Sequence, residues 1–452
     1  MNRTYALSAR RLSAACLLLL FAASACGAAP NVSTKRVLVI SLTKGFHHSS
    51  IPLGEEIVKK LGDKSGLWTT DFARTDVDVV QKTAPYNLRN YDLVFFNNTT
   101  GDLPIRDRQA FLDWIKAGGN IAGVHAATDT YRLTGPGKGW AEYIDMIGAQ
   151  FIHHGAQDEV DFLLADPEHT ATKGLPASYK HLEEVYQFKG YSTDKMHVLI
   201  YLDKHPNTFE PGFFPISWAK MYGKGRIFYT AFGHREDLMQ GDYFQKHLLQ
   251  GMRWALGYDN GDACPNPPMQ ITKAEEKDGF TAVFNGKDTT GWHARNEGRT
   301  PWTVEYGMLV MGRGGADIIT DEKFGDFILR CEFMVPKGGN SGIYLRGRYE
   351  IQVMDDFESK SASLHGNGSI YGKIAPCQWA SRPAGEWNIV EATLVGNNVT
   401  VILNGVKIID GQPIDGVTGG ALDDKVNEPG PIMLQGDHSP VAYRNVRINT
   451  LD

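Results

Sequence analysis

The sequence predicts two domains, an α/β domain with a mostly parallel sheet followed by an all-β sandwich or barrel, and three observations predict it. At 452 residues the chain exceeds what one ordinary core fills. As far as Gly257, continuous apolar runs alternate with helical patterns. From Asp278 onward, helical periodicity gives way to period-two strands.

In the first half, Val37-Leu38-Val39-Ile40, Leu93-Val94-Phe95-Phe96, Ile121-Ala122-Gly123-Val124 and Ile227-Phe228-Tyr229 are short continuous runs, as expected of strands buried on both faces. Phe244, Leu248, Leu249, Met252 and Ala255 recur at three- and four-residue spacing, and residues 106–116 read similarly, so helices lie between and after the runs. Residues 258–277 contain the Pro-rich Cys264-Pro265-Asn266-Pro267-Pro268 and then charged residues without a period, which marks a linker between domains at 31–257 and 278–452. Beyond it Phe327, Leu329, Cys331, Phe333 and Val335 alternate with Ile328, Arg330 and Glu332, and Asn404-Gly405 is a tight-turn signal before Val406. Many short strands without helices mean a sandwich or barrel.

With 42% hydrophobic and 22% charged residues both halves have enough apolar side chain to fold, and a net charge of -6 gives no electrostatic reason to expect nucleic acid. Residues 1–30 read as a signal peptide. Arg3, Arg10 and Arg11 precede the short apolar run Cys16 to Ala23, too short to span a bilayer. The run ends in Ala23-Ser24-Ala25-Cys26-Gly27, which resembles the lipobox of bacterial lipoproteins, with Ala23 where Leu is commoner. Cleavage near Ala28-Ala29 without lipid is the other reading. Either way the protein is exported to the periplasm or cell envelope, touching membrane through a lipid anchor only. Three cysteines remain, Cys264, Cys331 and Cys377, and an odd count without CxxC spacing argues against a disulfide framework or zinc knuckle.

The first domain carries Gly118-Gly119-Asn120 followed by Ile121 to Asp129, then Glu183-Glu184-Val185-Tyr186, Pro215-Ile216-Ser217-Trp218, Gly223 to Tyr229 and Gly233-His234. In that order these resemble the trehalose-utilisation (ThuA-like) family from Arg36 to Gly257. The resemblance implies a flavodoxin-like α/β fold similar to class I glutamine amidotransferases. Those enzymes place a Cys on the turn after the Gly-rich strand. Here His125 holds that place, so thiol acyl-enzyme chemistry is excluded. Eleven of the fourteen histidines fall in this half, among them His47, His48, His153 and His154. His125, at a strand's carboxyl end where open α/β sheets bind ligands, is expected to share a pocket with Glu184 and His234. Such a group can bind a divalent metal or move a proton, although no HxH or HxxxH spacing singles out a metal.

In the second domain, Asn340 to Arg346, Tyr349 to Asp355, Ser369-Ile370-Tyr371-Gly372, Pro383 to Asn388, Leu403-Asn404-Gly405, Leu434 to His438 and Tyr443-Arg444-Asn445 resemble the 3-keto-disaccharide hydrolase family from Asp278 to the C-terminus. The resemblance implies a concanavalin-like sandwich with a sugar site on its concave sheet. If Ile343 to Met354 is extended throughout, Ile343, Leu345, Tyr349, Ile351 and Val353 face the core, and Tyr344, Arg346, Arg348, Glu350 and Gln352 share the other face. A polar face dense in planar hydrogen-bonding groups and aromatic rings suits a sugar.

A 3-keto glycoside has an acidic C2 proton, so its C1 substituent can leave by elimination and water can then add, without the paired carboxylates of an ordinary glycosidase. Such a site needs a base, an electrophile for the enolate and a proton source for the leaving group. Glu350, Asp355, Asp437 and His438 are the candidate acids and bases. Arg346, or a divalent metal, suits the enolate. Tyr344, Gln352, Tyr371, Trp387 and Gln435 are the remaining candidate contacts to an oligosaccharide or glycoside. The alternative is a non-catalytic carbohydrate-binding protein with a degenerate first domain. The N-terminal reading has its own test: mass spectrometry of the membrane fraction should find a lipid-modified Cys26, and Cys26→Ala should release or stall the protein.

Overall fold

The four continuous apolar runs of the first half become parallel strands of one sheet in the computed structural model, which describes residues 33–134, 137–426 and 428–451. The signal-like segment with Cys26 lies outside the described residues. In chain order the strands are β1 (Lys35–Ile40), β2 (Trp68–Ala73), β3 (Leu93–Asn97), β4 (Asn120–Val124), β5 (Gln150–His154), β6 (Asp158–Leu164), β7 (Ser178–Glu183), β8 (Tyr186–Lys189), β9 (His197–Lys204), β10 (Pro211–Tyr222) and β11 (Gly225–Thr230). Nine of them form one sheet in the order β2-β1-β3-β4-β11-β10-β9-β6-β7, and β5 pairs with β8 apart from it. Helices Ile51–Ser65, Arg108–Lys116 and Asp242–Ala255 pack on its parallel half. In the last of these, Phe244, Leu248, Met252 and Ala255 are buried as their spacing predicts.

The expectation of a mostly parallel sheet holds only for β2, β1, β3, β4 and β11; from β11 onward every pairing is antiparallel. The parallel strands β1, β3 and β4 are buried along almost their whole length, as are most positions of the antiparallel β9 and β10, whereas at the far edge β6 is largely half-buried and β7 alternates exposed with half-buried or buried positions. Strands covered on one face tolerate an antiparallel edge that a fully covered parallel sheet does not need.

The second half is a β-sandwich. Its strands are β12 (Thr281–Ala282), β13 (Trp292–Ala294), β14 (Thr303–Glu305), β15 (Met308–Met311), β16 (Ile318–Thr320), β17 (Asp326–Met334), β18 (Asn340–Leu345), β19 (Tyr349–Met354), β20 (Asn388–Val395), β21 (Asn398–Leu403), β22 (Val406–Pro413), β23 (Met433–Leu434) and β24 (Val441–Leu451). One antiparallel sheet runs β14-β15-β24-β17-β20-β21-β22, with β12 also on β24; the other runs β13-β16-β23-β18-β19. Phe327, Leu329, Cys331 and Phe333 of β17 meet Ile343, Leu345, Ile351 and Val353 of β18 and β19 in one core. Asn404 and Gly405, at φ 53° and 80°, make the tight turn from β21 to β22.

The outer face of the larger sheet is not left to solvent. Tyr306, Met308, Val310, Met334, Trp387 and Ala442 join the apolar core of the first domain. Tyr306 stacks on Phe213 with ring centroids 4.6 Å apart, the Phe213 N–H donates to Glu305 Oε2 at 2.9 Å, and Lys204 Nζ donates to the Gly385 carbonyl at 2.7 Å. The Pro-rich segment is fastened along this seam: Asn266 exchanges two hydrogen bonds with the Val198 backbone, at 2.7 and 2.8 Å, and its carbonyl accepts from the Tyr306 hydroxyl at 3.0 Å. From Thr34 the chain therefore forms one unit.

Trp387 closes the seam by donating its indole N–H to Asp203 Oδ2 at 2.6 Å, while the Arg444 guanidinium lies 3.9 Å over its ring. Trp387→Phe leaves the buried Asp203 without that donor. Urea unfolding should show a loss of about 1–3 kcal/mol with an unchanged m-value.

Candidate functional site

A hairpin builds the site in the sandwich. β18 and β19 pair Tyr344 with Glu350 and Gly342 with Gln352, so their side chains leave the sheet on the face opposite the core. Residues 368–371 run along the free edge of β19, and the Tyr371 N–H donates to the Glu350 carbonyl at 3.0 Å, which sets the Tyr371 ring beside the carboxylate's strand. Thr418 ties the next loop down: its hydroxyl donates to the Arg348 carbonyl and accepts from the Glu350 N–H, both at 2.9 Å. The Gln435 N–H donates to the Gly342 carbonyl at 2.9 Å, bringing Gln435, Asp437 and His438 over from the end of β23. Together these enclose a cavity of about 280 Å³.

Glu350 lies on its floor, 4% exposed. Burial pushes its carboxyl up to about 7, with the Tyr344 hydroxyl and His438 opposing that rise and Asp317 and Asp437 adding to it. A Cβ at position 342 would stand 2.5 Å from Glu350 Oε1, so glycine there gives the carboxylate its room. The Tyr344 hydroxyl donates to the Gly419 carbonyl at 3.0 Å, and burial keeps its phenol protonated. Gln352 Nε2 donates to Asn340 Oδ1 at 3.1 Å. His438 and Asp437 are paired through Nδ1 and Oδ1 at the mouth.

Three polar lining residues are not among the candidates named from the sequence, and two of them, Arg295 and Asp317, lie in none of its motifs. Arg295 follows the three-residue β13, and Asp317 precedes the three-residue β16, strands too short to show a period. Arg295 Nη1 donates to Asp317 Oδ2 at 3.2 Å and to the Gly420 carbonyl at 2.8 Å. The third, Asn340, opens β18.

Three predicted residues lie elsewhere. Arg346 is not on the polar face because the chain is not extended through it: Arg346 and Gly347 have φ of 53° and 68°, and the strand turns back there. Its guanidinium is spent on the Gly325 and Gly396 carbonyls and Asp326 Oδ1, at 2.8, 2.8 and 2.6 Å. Asp355 accepts from the Gly338 N–H at 2.9 Å and holds a turn outside the cavity. Trp387 is the seam residue described above, so it is closed to a sugar.

In the first domain, His125 follows β4 and its Nε2 lies 3.5 Å from Glu184 Oε1; His234, in the loop after β11, brings Nδ1 to 3.4 Å from the same oxygen. Asn98 positions both loops, accepting from the Ala126 N–H at 3.2 Å and donating to the Gly233 carbonyl at 3.0 Å. His48 joins from the loop after β1, and burial, with the neighbouring imidazoles of His125 and His234, pushes its pKa down to about 3. His154 Nδ1 approaches Glu184 Oε2 at 3.2 Å. A second cavity of about 280 Å³ opens over this group, walled by Phe46, Phe151, Tyr186 and Asp129. In the sequence His48 and His154 stand out only as two of the eleven histidines of this half.

Residues 36–255 match the family model described as trehalose utilisation (ThuA), and residues 279–449 match that of the 3-keto-alpha-glucoside-1,2-lyase-like domain. The chain is 26% identical over 232 residues to a 3-keto-disaccharide hydrolase of Bacteroides thetaiotaomicron, a match covering 39% of this chain and 80% of that protein. Among solved structures, one from Parabacteroides distasonis provisionally named a glycosyl hydrolase is 32% identical, covering 38% of this chain and 84% of that one, with a TM-score of 0.34. One from Parabacteroides merdae provisionally named ThuA-like is 22% identical, covering 52% and 94%, with a TM-score of 0.43.

The raised Glu350 carboxyl has a consequence for stability. Its folded pKa of about 7 exceeds its ordinary value of 4.5, so the folded state holds the proton more tightly, and the stabilisation is complete below pH 4.5 and lost as pH rises through 7. Glu350→Gln removes this dependence. Urea unfolding at pH 5 and pH 8 should show the variant gaining on the parent protein with rising pH, by on the order of 2 kcal/mol.

Proposed function

Because the chain belongs to the trehalose-utilisation family at residues 36–255 and to the 3-keto-alpha-glucoside-1,2-lyase-like family at residues 279–449, we propose that it processes carbohydrate by cleaving 3-keto glycosides in the sandwich cavity. The observation that carries this reading is Glu350, a buried carboxyl whose pKa of about 7 suits proton transfer at neutral pH, on the floor of a cavity lined with amides and a tyrosine ring. We read the first domain as flavodoxin-like, the second as concanavalin-like, and the whole as an exported, lipid-anchored protein of the cell envelope.

In this mechanism ionised Glu350 takes the C2 proton, and the C2–H electrons form the C2=C3 bond of an enediolate whose charge rests on the C3 oxygen. The Arg295 guanidinium, held by Asp317, takes the place first expected of Arg346 and faces that oxygen. Re-forming the C3 carbonyl shifts the double bond to C1=C2 and breaks the C1–O bond. The Asp437-His438 pair at the mouth protonates the departing oxygen. Water then adds: its hydroxyl goes to C1, Glu350 returns its proton to C2, and the water proton restores the Asp437-His438 pair, giving the free 3-keto sugar. Asn340, Gln352 and Gln435 bind the ring hydroxyls, and the Tyr371 ring offers a stacking face.

The full chain should cleave 3-keto-trehalose and leave trehalose intact, as followed by release of reducing sugar. The rate should rise with pH through about 7, because only the ionised carboxyl accepts the proton. Glu350→Gln should lower kcat by about 10²- to 10⁴-fold with little change in KM and abolish that rising limb. Equal cleavage of both sugars would point to ordinary glycosidase chemistry, and binding without turnover to a lectin.

A further inference from the structure

The histidine cluster of the first domain is unused by the chemistry above, and its hydrogen bonding is incomplete. His48 and His125 are 4% and 0% exposed, yet His48 Nδ1 and His125 Nε2, together with His234 Nδ1, are buried without a hydrogen-bond partner. Buried polar atoms are normally paired, so three orphaned imidazole nitrogens in one cluster call for an occupant. The His125 ring shows which kind. Its Nδ1 lies 2.9 Å from the Ala231 carbonyl, an acceptor, which fixes the proton on Nδ1 and leaves a lone pair on Nε2. That lone pair faces Glu184 Oε1, also an acceptor, at 3.5 Å. Only a cation between them makes the pairing favourable. A proton satisfies one nitrogen; a metal ion satisfies all three together.

The geometry fits one. Single donor atoms of His48, His125, Glu184 and His234 all lie within 4.8 Å of one another. Ligands about 2.1 Å from a tetrahedral ion stand about 3.4 Å apart. Glu184 Oε1 is 3.5 and 3.4 Å from its His125 and His234 neighbours. The three rings meet pairwise edge to face, with centroids 4.9, 5.6 and 5.3 Å apart. His125 is held at φ 43°, a left-handed conformation that non-glycine residues rarely adopt and that the surrounding structure must enforce.

We propose that the first domain holds one divalent transition-metal ion of the zinc class between His48, His125, Glu184 and His234, which can expand to a fifth coordination position on the side of the cavity beside Phe46, Phe151 and Tyr186. Three imidazoles and one carboxylate are the donors of borderline metals and not of calcium or magnesium. The fifth position takes water or an oxygen of a small polar ligand. Gln157 Nε2 lies 2.9 Å from His234 Nε2, so binding through Nδ1 requires the exposed Gln157 amide to turn its oxygen to that nitrogen and release Arg235 Nη1. The site is independent of the sandwich chemistry, since none of its residues lines the sandwich cavity.

The test uses full-length protein without a polyhistidine tag, stripped with a chelator and titrated in the absence of sugar with cobalt(II), then zinc(II). One cobalt per chain should bind with a visible ligand-field band, be displaced by zinc, and raise Tm. His234→Ala and the near-isosteric Glu184→Gln, each confirmed as folded by circular dichroism, should weaken binding at least ten-fold, and Glu350→Gln should bind as the parent does. Binding of less than about one ion per ten chains, or equal binding by parent and both cluster variants, would overturn the proposal. So would loss of the ion in Glu350→Gln alone, which would assign it to the sandwich.

Discussion

Taking a carboxylate out of water costs several kcal/mol unless something compensates its charge, and the two cavities around Glu350 and Glu184 are organised around that cost. Glu350 meets it by holding its proton more tightly, with the Tyr344 phenol beside it. Glu184 meets it with imidazoles, three of which approach its two oxygens at 3.2 to 3.5 Å. The first solution leaves a group poised to gain and lose a proton. The second leaves one suited to share a cation.

The neighbouring structure follows from these requirements. Glycine at 342 leaves the space that Glu350 occupies, and Thr418 holds the strand backbone on either side of it. In the first domain, Asn98 at φ 51° and Ser50 both bond the Gly233 carbonyl, so the loops after β3 and β11 cannot drift apart without losing buried hydrogen bonds. Ligand-bearing loops at the carboxyl ends of parallel strands are thereby fixed by polar contacts beneath them, not by their own sequence.

How far the sequence discloses this depends on which period each residue obeys. Continuous runs such as Leu93 to Phe96 mark strands buried on both faces, and the alternation of Phe327 to Phe333 marks one buried on a single face. The polar face of Tyr344, Glu350 and Gln352 is legible for a subtler reason. Leu345 pairs directly with Tyr349, so the intervening loop has an odd number of residues and parity is the same for one long strand as for a hairpin. Parity therefore places the strand residues up to Leu345 and from Tyr349 correctly and misplaces those of the turn, Arg346 above all. A glycine within a strand pattern is the available warning. Arg295 and Asp317 are illegible because three-residue strands have no measurable period, and Trp387 because an aromatic that binds a sugar and one that seals a seam have the same local sequence.

That seam bears on how such a chain could have been assembled. Tyr306, Met308 and Val310 form an apolar outer face on the larger sandwich sheet that fits Phe213 and the strands beside it. The two halves are thus not beads on a string that recombination can exchange freely. A sandwich inherited without this partner would need polar replacements across that face, and a new partner would need aromatic side chains in matching places. Kin that carry the sandwich alone should differ from this chain most at those positions, whatever they retain around Glu350.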